Sequence, residues 1–440
     1  MKLNANLTRS TGVAALGGLL FGFDTAVIAG TTHGLTEAFR LTPSSLGLTV
    51  SIALWGTILG AMTAGIPGDA LGRRTSLKFM ALFYLISSLG CAFAWSWTSL
   101  VVFRFIGGLG IGGSSVLAPM YIAEVAPANE RGRLVGSFQI SVVVGILVAY
   151  LSNYVVALNH LGALDWRWKF GIPALPAALF LILLFRILPS PRWLVTRGRT
   201  EEAERVLRLV GEPRPDQAVR EIVASLHQDR PQDRLFTWRY RFPIFLAVSI
   251  AFFNQFSGIN AILYYLNDIF ARAGFSGVSG DLQAVAIGAT NLVFTLIAMS
   301  VIDRLGRKTL LLVGAVGTAV CLGGVSFVFA TAQHETWLLW LLVGFIAFFA
   351  FSQGAVIWVY LSEVFPTQVR AKGQSLGSFT HWSMNALISF EFPRLAAASG
   401  AYPFMFFTAM MVLQFFIVLF MYPETKNVSL EDMQQQLGVA

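Results

Sequence analysis

Long apolar runs recur through this chain, and they restrict what it can fold into more than any other feature. An α-helix needs about 20 mainly apolar residues to cross the hydrocarbon core of a bilayer. Twelve such runs can be placed, near 11–30, 46–68, 76–95, 99–122, 134–157, 170–188, 243–271, 281–302, 309–331, 337–361, 372–395 and 402–422. Six precede the hydrophilic stretch from Ser190 to Arg241 and six follow it. The expected fold is an all-α integral membrane protein of twelve transmembrane helices in two six-helix bundles. The expected organisation is a first bundle over 1–189, a linker with short helices over 190–241, a second bundle over 242–423 and a tail over 424–440. Composition agrees: 12% of the residues are charged, against about 25% in a typical soluble protein. Within the linker, Thr200–Leu209 has helical spacing, with Glu201 and Arg205 at i, i+4.

Two short segments at basic loops occur twice. Gly68–Arg74 reads Gly-Asp-Ala-Leu-Gly-Arg-Arg and is matched by Asp-Arg-Leu-Gly-Arg-Lys at Asp303–Lys308. Tyr121–Gly132 opens with Tyr-Ile-Ala-Glu-Val-Ala-Pro and is matched by Tyr-Leu-Ser-Glu-Val-Phe-Pro in Tyr360–Ala371. Each copy lies roughly half the chain from its partner. A single long-period repeat in so apolar a chain indicates a duplicated membrane protein, an architecture common among transporters. Arg73, Arg74, Lys78, Arg131, Arg133, the arginines of 192–241, Arg307, Lys308, Arg370 and Lys372 map to one face, with Arg40, Arg167 and Arg272 scattered opposite. The cationic face is expected to be cytoplasmic, which puts both termini inside and the protein, multi-pass, in the plasma or inner membrane.

Several other readings fall away. The net charge of +8 belongs to these loops, so it does not imply a nucleic-acid partner. Cys91 and Cys321 lie in apolar stretches and read as small packing residues rather than a disulfide framework. The run after Arg9 is too long for a signal peptide and contains Asp24, so it reads as the first span. The sequons at Asn6 and Asn427 fall on the expected cytoplasmic side and carry no weight. Gly108, Gly110 and Gly113 satisfy a dinucleotide fingerprint, but they sit inside a span with no strand before them. Small residues there are expected to let two helices approach closely. No metal cluster, catalytic triad or phosphate loop appears at a membrane face, so neither an enzyme nor a cofactor is expected.

The motifs then converge on one family. Gly17–Thr25, reading Gly-Gly-Leu-Leu-Phe-Gly-Phe-Asp-Thr, resembles the first-span signature of the sugar porter family of the major facilitator superfamily. Arg104–Gly108 and Pro119–Glu124 resemble its fourth-span stretch, and Pro191–Leu194, Gln255–Asn260 and Pro423–Lys426 complete the set in family order over nearly the full length. The chain departs from the pattern at several places. The family's Pro-Glu-Ser-Pro-Arg is here Pro189-Ser190-Pro191-Arg192, one acid short. Its paired glutamines are Asn254 and Gln255, and a proline common in the tenth span is Ala355. Ala70 and Met299 stand where the loop motifs usually have Arg and Gly.

The resemblance implies alternating access, with one monosaccharide at the midplane and a proton carried alongside. A charge in mid-span is costly unless paired or hydrated, so Asp24 requires a reason. The resemblance supplies a partner in Arg104: proton-coupled relatives carry an acid at the first position, whereas passive facilitators commonly carry an amide. Sugar hydroxyls both give and take hydrogen bonds, as carboxamides do, and sugar C–H faces pack on aromatic rings. The positions matching the family's site are Gln139, Gln255, Asn260, Tyr264, Asn291, Trp358 and Trp382, with Asn254, His381, Asn385 and Ile146 as weaker candidates. Asn260 and Tyr264 share a helix face, and Gly258 before them can loosen the helix. Glu391, near the outer end of the eleventh span, is expected to snorkel.

The loop repeats fit a cytoplasmic gate in which Asp69, Arg73, Arg74, Glu124 and Arg131 pair in one half and Asp303, Arg307, Glu363 and Arg370 in the other. The sequence therefore leads to a proton-coupled monosaccharide symporter, expected to work as a monomer. A proton-independent facilitator, a polyol porter and a non-transporting sugar sensor are the alternatives. Asp24 argues against the first, and the short stretch after Tyr422 against the last.

Overall fold

The computed structural model describes residues 4–127, 130–227, 234–366, 368–426, 428, 433 and 435–437. The side chains of residues 225–227 and of Asp303, much of the tail after Lys426, and Asn427 and Ser429 of the second sequon lie outside the described residues. Every regular element described is a helix. Among the described residues, ten helices are long and apolar enough to cross a membrane: Ala5–Gly30, Pro43–Thr63, Arg73–Ala92, Trp97–Val125, Arg131–Ala157, Trp238–Tyr264, Gly277–Ile302, Arg307–Thr331, Trp337–Glu363 and Tyr402–Met421. They supply spans one to five, seven to ten and twelve of the sequence reading. The sixth forms the shorter helix Ala174–Leu183, set off from Asp165–Gly171 by Pro173. The eleventh is the 29-residue helix Arg370–Ala398, whose polar and charged residues set it apart from the other ten.

Apolar side chains surround the spanning helices instead of forming one stripe, as suits helices that meet protein and lipid together. The linker helix Thr200–Val210 behaves differently. It buries Ala203, Val206, Leu207 and Val210 on one side and carries its charges on the other. Its described intrahelical ion pair is Glu204–Arg208 at 2.5 Å, one turn further along than the expected Glu201–Arg205 spacing.

The contacts divide the chain into two compact units, Met1–Thr31 with Ile52–Asp229 and Thr32–Ser51 with Arg230–Ala440. In the first, glycine lets backbones touch. A Cβ on Gly22 would lie 1.8 Å from the carbonyl oxygen of Val142, which fixes the approach of spans one and five. A Cβ on Gly108 would lie 2.0 Å from the carbonyl oxygen of Ala53, and one on Gly113 would lie 2.0 Å from Met80 Sδ. The glycine-rich stretch of span four is therefore a packing surface, as its sequence context indicates. Lipid gives apolar helices no hydrophobic reason to associate, so close backbone approach supplies van der Waals contact instead. Cys91 and Cys321 are both unpaired and buried.

The scattered basic residues of the opposite loops have local uses. Arg167 Nη1 donates to the carbonyls of Ala92 and Ala94, both at 2.9 Å, where span three ends. Arg272 Nη1 donates to Ala396 O at 2.9 Å, near the end of span eleven. Each guanidinium satisfies carbonyls that the helix end leaves without an N–H partner. Glu391 is held by Arg394 at 2.8 Å, so an ion pair accounts for it where the sequence suggested snorkelling alone.

Candidate functional site

Span seven is not one helix. It runs as Arg241–Phe256, Ile259–Tyr264 and Leu266–Arg272, and the first break falls at Gly258, whose φ is +82°. That left-handed conformation costs any residue with a Cβ. A Cβ there would also lie 2.3 Å from Phe407 Cδ2. The break puts the polar residues of Gln255–Tyr264 on short, redirected turns, the arrangement transporters use to expose backbone and side-chain polar groups near a substrate.

Those residues form a directional relay. Asn260 Nδ2 donates to Gln255 Oε1 at 2.9 Å, and Gln255 Nε2 donates to Asn254 Oδ1 at 3.0 Å. Gln255 Nε2 also lies 3.2 and 3.3 Å from the two ring nitrogens of His381. Because Gln255 uses its oxygen for Asn260, it presents only N–H groups to the imidazole, and a ring nitrogen must accept. His381 in turn joins the amides to the indoles. Its ring centroid lies 5.2 Å from that of Trp358 and 5.0 Å from that of Trp382. A residue that was a weaker candidate on sequence thus stands at the centre of the cluster. One helical step away, Asn385 Nδ2 donates to Tyr264 Oη at 3.2 Å and Ser389 Oγ donates to Asn385 Oδ1 at 3.1 Å.

The cluster is chemically uniform. It consists of neutral amides, hydroxyls, an imidazole and two indoles, and the described residues hold no group of three or more metal-ligating side chains. Trp358 keeps 39% of its surface exposed, leaving a ring face for a ligand. Asn291 on span eight accepts from Thr295 Oγ1 at 3.5 Å, and no described hydrogen bond ties it to the span-seven amides. Gln139 and the buried Ile146 lie seven positions apart on span five of the first unit, on one helix face.

Asp24 lies in span one, also in the first unit. Arg104 of span four is 3% exposed and lies within electrostatic reach of Asp24, with its guanidinium carbon 5.6 Å from the Phe170 ring centroid. A Cβ on Gly107, one turn along span four, would lie 2.4 Å from Ser87 Oγ and 4.0 Å from Asp24 Oδ1. The glycine thus admits Ser87 of span three, with the Asp24 carboxylate close by.

The two loop repeats build matching clusters. In the first unit Arg73 pairs with Asp69 at 2.9 Å and Glu124 at 3.1 Å, and Ser190 Oγ donates to Glu124 Oε2 at 2.5 Å. In the second, Arg307 pairs with Glu363 at 2.9 Å, and Thr425 Oγ1 donates to Glu363 Oε2 at 2.6 Å. Glu424 adds a cap there, accepting from the backbone N–H groups of Arg307 and Lys308 at 2.8 and 3.0 Å. Arg74 Nη1 donates to Ile187 O at 2.9 Å, and Arg370 Nε donates to Phe365 O at 3.2 Å. Arg131 is exposed, and no ion pair is described for it. The side chain of Asp303 lies outside the described residues.

Two polar residues escaped the sequence reading. Gln353 and Gln414, each 1% exposed, meet through Gln353 Nε2 donating to Gln414 Oε1 at 2.9 Å. Each stands alone in an apolar run, and nothing in the sequence pairs them.

Comparison with known proteins fits this geometry. The family described as "Sugar (and other) transporter" matches residues 11–437. The chain is 37% identical to the D-xylose-proton symporter of Escherichia coli K12, over 96% of this chain and 94% of that one. It is 35% identical to the arabinose-proton symporter of Bacillus subtilis, over 96% of this chain and 93% of that one. Among solved structures, the inward open conformation of the E. coli xylose transporter matches with a TM-score of 0.89 at 35% identity, over 98% of this chain and 99% of that one.

Proposed function

Because the chain belongs to the sugar transporter family, within the major facilitator superfamily, we propose that it is a secondary active transporter that carries a monosaccharide, hexose or pentose, across the membrane together with a proton. Transport proceeds by alternating access. The observation that carries the sugar half of this reading is the neutral cluster in the second unit, where the Asn260–Gln255–Asn254 relay meets His381 and two tryptophans. Carboxamides with fixed donor and acceptor ends read hydroxyl positions, and indole faces accept the C–H side of a pyranose ring. An organic acid would need a dedicated cation, which this cluster lacks.

In the second unit Gln255, Asn260, Tyr264, Asn291, Trp358 and Trp382 contact the sugar, with Asn254, His381 and Asn385 shaping the cluster and His381 in the place an amide commonly holds in the family. In the first unit Gln139 is assigned to sugar contact and Ile146 to tuning which sugar fits. Asp24 carries the proton. Arg104, within electrostatic reach, links the charge on Asp24 to the conformational change. The Arg73–Glu124 and Arg307–Glu363 clusters close the cytoplasmic side, on which the basic loops and both termini lie. The protein works as a monomer in the plasma or inner membrane, without a nucleic-acid partner, and catalyses no chemical reaction.

The test is uptake of one labelled hexose or pentose into proteoliposomes, with a panel of unlabelled pentoses, hexoses, polyols and organic acids as competitors. Competition confined to monosaccharides is expected. Competition by polyols or acids alone would contradict the sugar reading.

A further inference from the structure

Span ten is broken, and proline does not break it. The helices Trp337–Phe351 and Gln353–Glu363 meet at Ser352, whose φ and ψ are −117° and −89°. Ser352 Oγ donates to the carbonyl of Phe348 at 2.6 Å, and Gly314 makes room for it, since a Cβ there would lie 1.8 Å from Ser352 Oγ. The first residue beyond the break is Gln353.

Its side chain is buried against span twelve. Nε2 donates to Gln414 Oε1 at 2.9 Å and approaches Met411 Sδ at 3.3 Å, while Oε1 has no hydrogen-bond partner. A buried acceptor without a donor is costly, so an amide kept here calls for a reason beyond packing. The backbone supplies one. Gln353 O accepts from Asn254 Nδ2 at 3.4 Å, and Asn254 Oδ1 is the acceptor that orients Gln255. The relay that ends on Asn260 therefore starts at the break in span ten, and the Gln353–Gln414 bond holds that start in place from span twelve.

We propose that Gln353 and Gln414 are positioning residues for sugar recognition, setting the orientation of Asn254 and Gln255 without touching the sugar. This rests on the sugar-transport reading above. Losing Gln414 leaves Gln353 Oε1 without a partner and Nε2 with only the weak Met411 Sδ acceptor, so the residue rotates and its carbonyl shifts with the hinge. Gln255 then presents its amide in a mixture of orientations, and affinity falls while the rest of the transport cycle is intact.

The experiment compares wild type, Gln414→Leu, Gln414→Glu and the double variant Gln353→Leu with Gln414→Leu. Each is measured by sugar uptake and by sugar-dependent quenching of tryptophan fluorescence on purified protein, with thermal unfolding in detergent alongside. Removing one partner of a buried bond orphans the other, whereas replacing both by apolar groups is nearly neutral for stability. The double variant is thus expected to unfold at the wild-type temperature yet keep a KM raised about ten-fold, with kcat little changed. Gln414→Glu retains an acceptor for Gln353 Nε2 and should recover most of the affinity. A double variant with wild-type KM would show that the pair is only structural and overturn the proposal. A wild-type protein that binds none of the sugars would instead remove the functional reading, and this inference with it.

Discussion

At the scale of single residues, Asp24 sets the energetics. An ionised side chain inside a span costs several kcal/mol or more, and Arg104 offsets that cost only while it is near. Replacing Asp24 with Asn removes the proposed proton site but keeps the shape. Asp24→Asn is expected to lose uphill accumulation and to retain sugar exchange, measured as counterflow in proteoliposomes; full accumulation would remove Asp24 from the coupling. On the sugar side, Gln255→Leu deletes the acceptor for Asn260 and the donor to Asn254 and His381. Lost hydrogen bonds of about 1 kcal/mol each predict a KM raised ten-fold or more, checked by initial uptake rates against sugar concentration. Much of this site was legible from residue type, because an amide or carboxylate inside an apolar run is conspicuous. The ranking within it was not. His381 reads as an ordinary packed histidine until the fold brings it against Gln255 and two indoles. Gln353 and Gln414 are 61 positions apart in sequence, and only packing joins them.

At the scale of helices, the site exists because two spans are broken, and the causes differ. Gly258 breaks span seven through a positive φ that glycine alone adopts cheaply. Gly258→Ala meets both that strain and the Phe407 ring, so a loss of about 1–3 kcal/mol is expected, seen as a lower unfolding temperature in detergent and weaker sugar binding. An unchanged protein would mean the break is not held by Gly258. Span ten breaks at Ser352, two residues before Gly354 and without a proline in the span, and the sequence reading did not single it out. Glycines that let backbones touch are the counterpart. A Cβ on Gly22 would collide with the backbone of Val142, which cannot move aside as a side chain can. Gly22→Ala is therefore expected to reduce the yield of folded protein sharply, as judged by monodisperse elution in detergent. Span eleven, read from the sequence as 372–395, runs as Arg370–Ala398, and its polar centre keeps it out of the set of strongly apolar spans.

At the scale of the whole molecule, the duplication sets the architecture, and the places where the copies diverge carry the function. Both halves carry an arginine–glutamate–hydroxyl cluster, Arg73–Glu124–Ser190 and Arg307–Glu363–Thr425. Among the described residues, only the second adds a carboxylate, Glu424, over the first turn of the following helix; in the first half the acid that the family motif would supply is missing before Ser190. If these clusters are a gate, Glu363→Gln should slow transport several-fold while leaving equilibrium sugar binding unchanged, since it loosens one closed state without touching the site. Equal losses in rate and affinity would contradict a gating role. The proposed proton chemistry falls to Asp24 and Arg104 in the first half, and the polar relay lies on spans seven and eleven in the second. A membrane potential contributes about 2.3 kcal/mol per charge per 100 mV, enough at one proton per sugar for roughly 50-fold accumulation, taking about 1.4 kcal/mol per ten-fold. The most direct test is labelled sugar uptake into proteoliposomes of the purified protein under an imposed inward proton gradient, with and without a protonophore. Accumulation above the external concentration that collapses with the protonophore is the predicted result; uptake that only equilibrates, regardless of the gradient, would contradict proton-coupled transport.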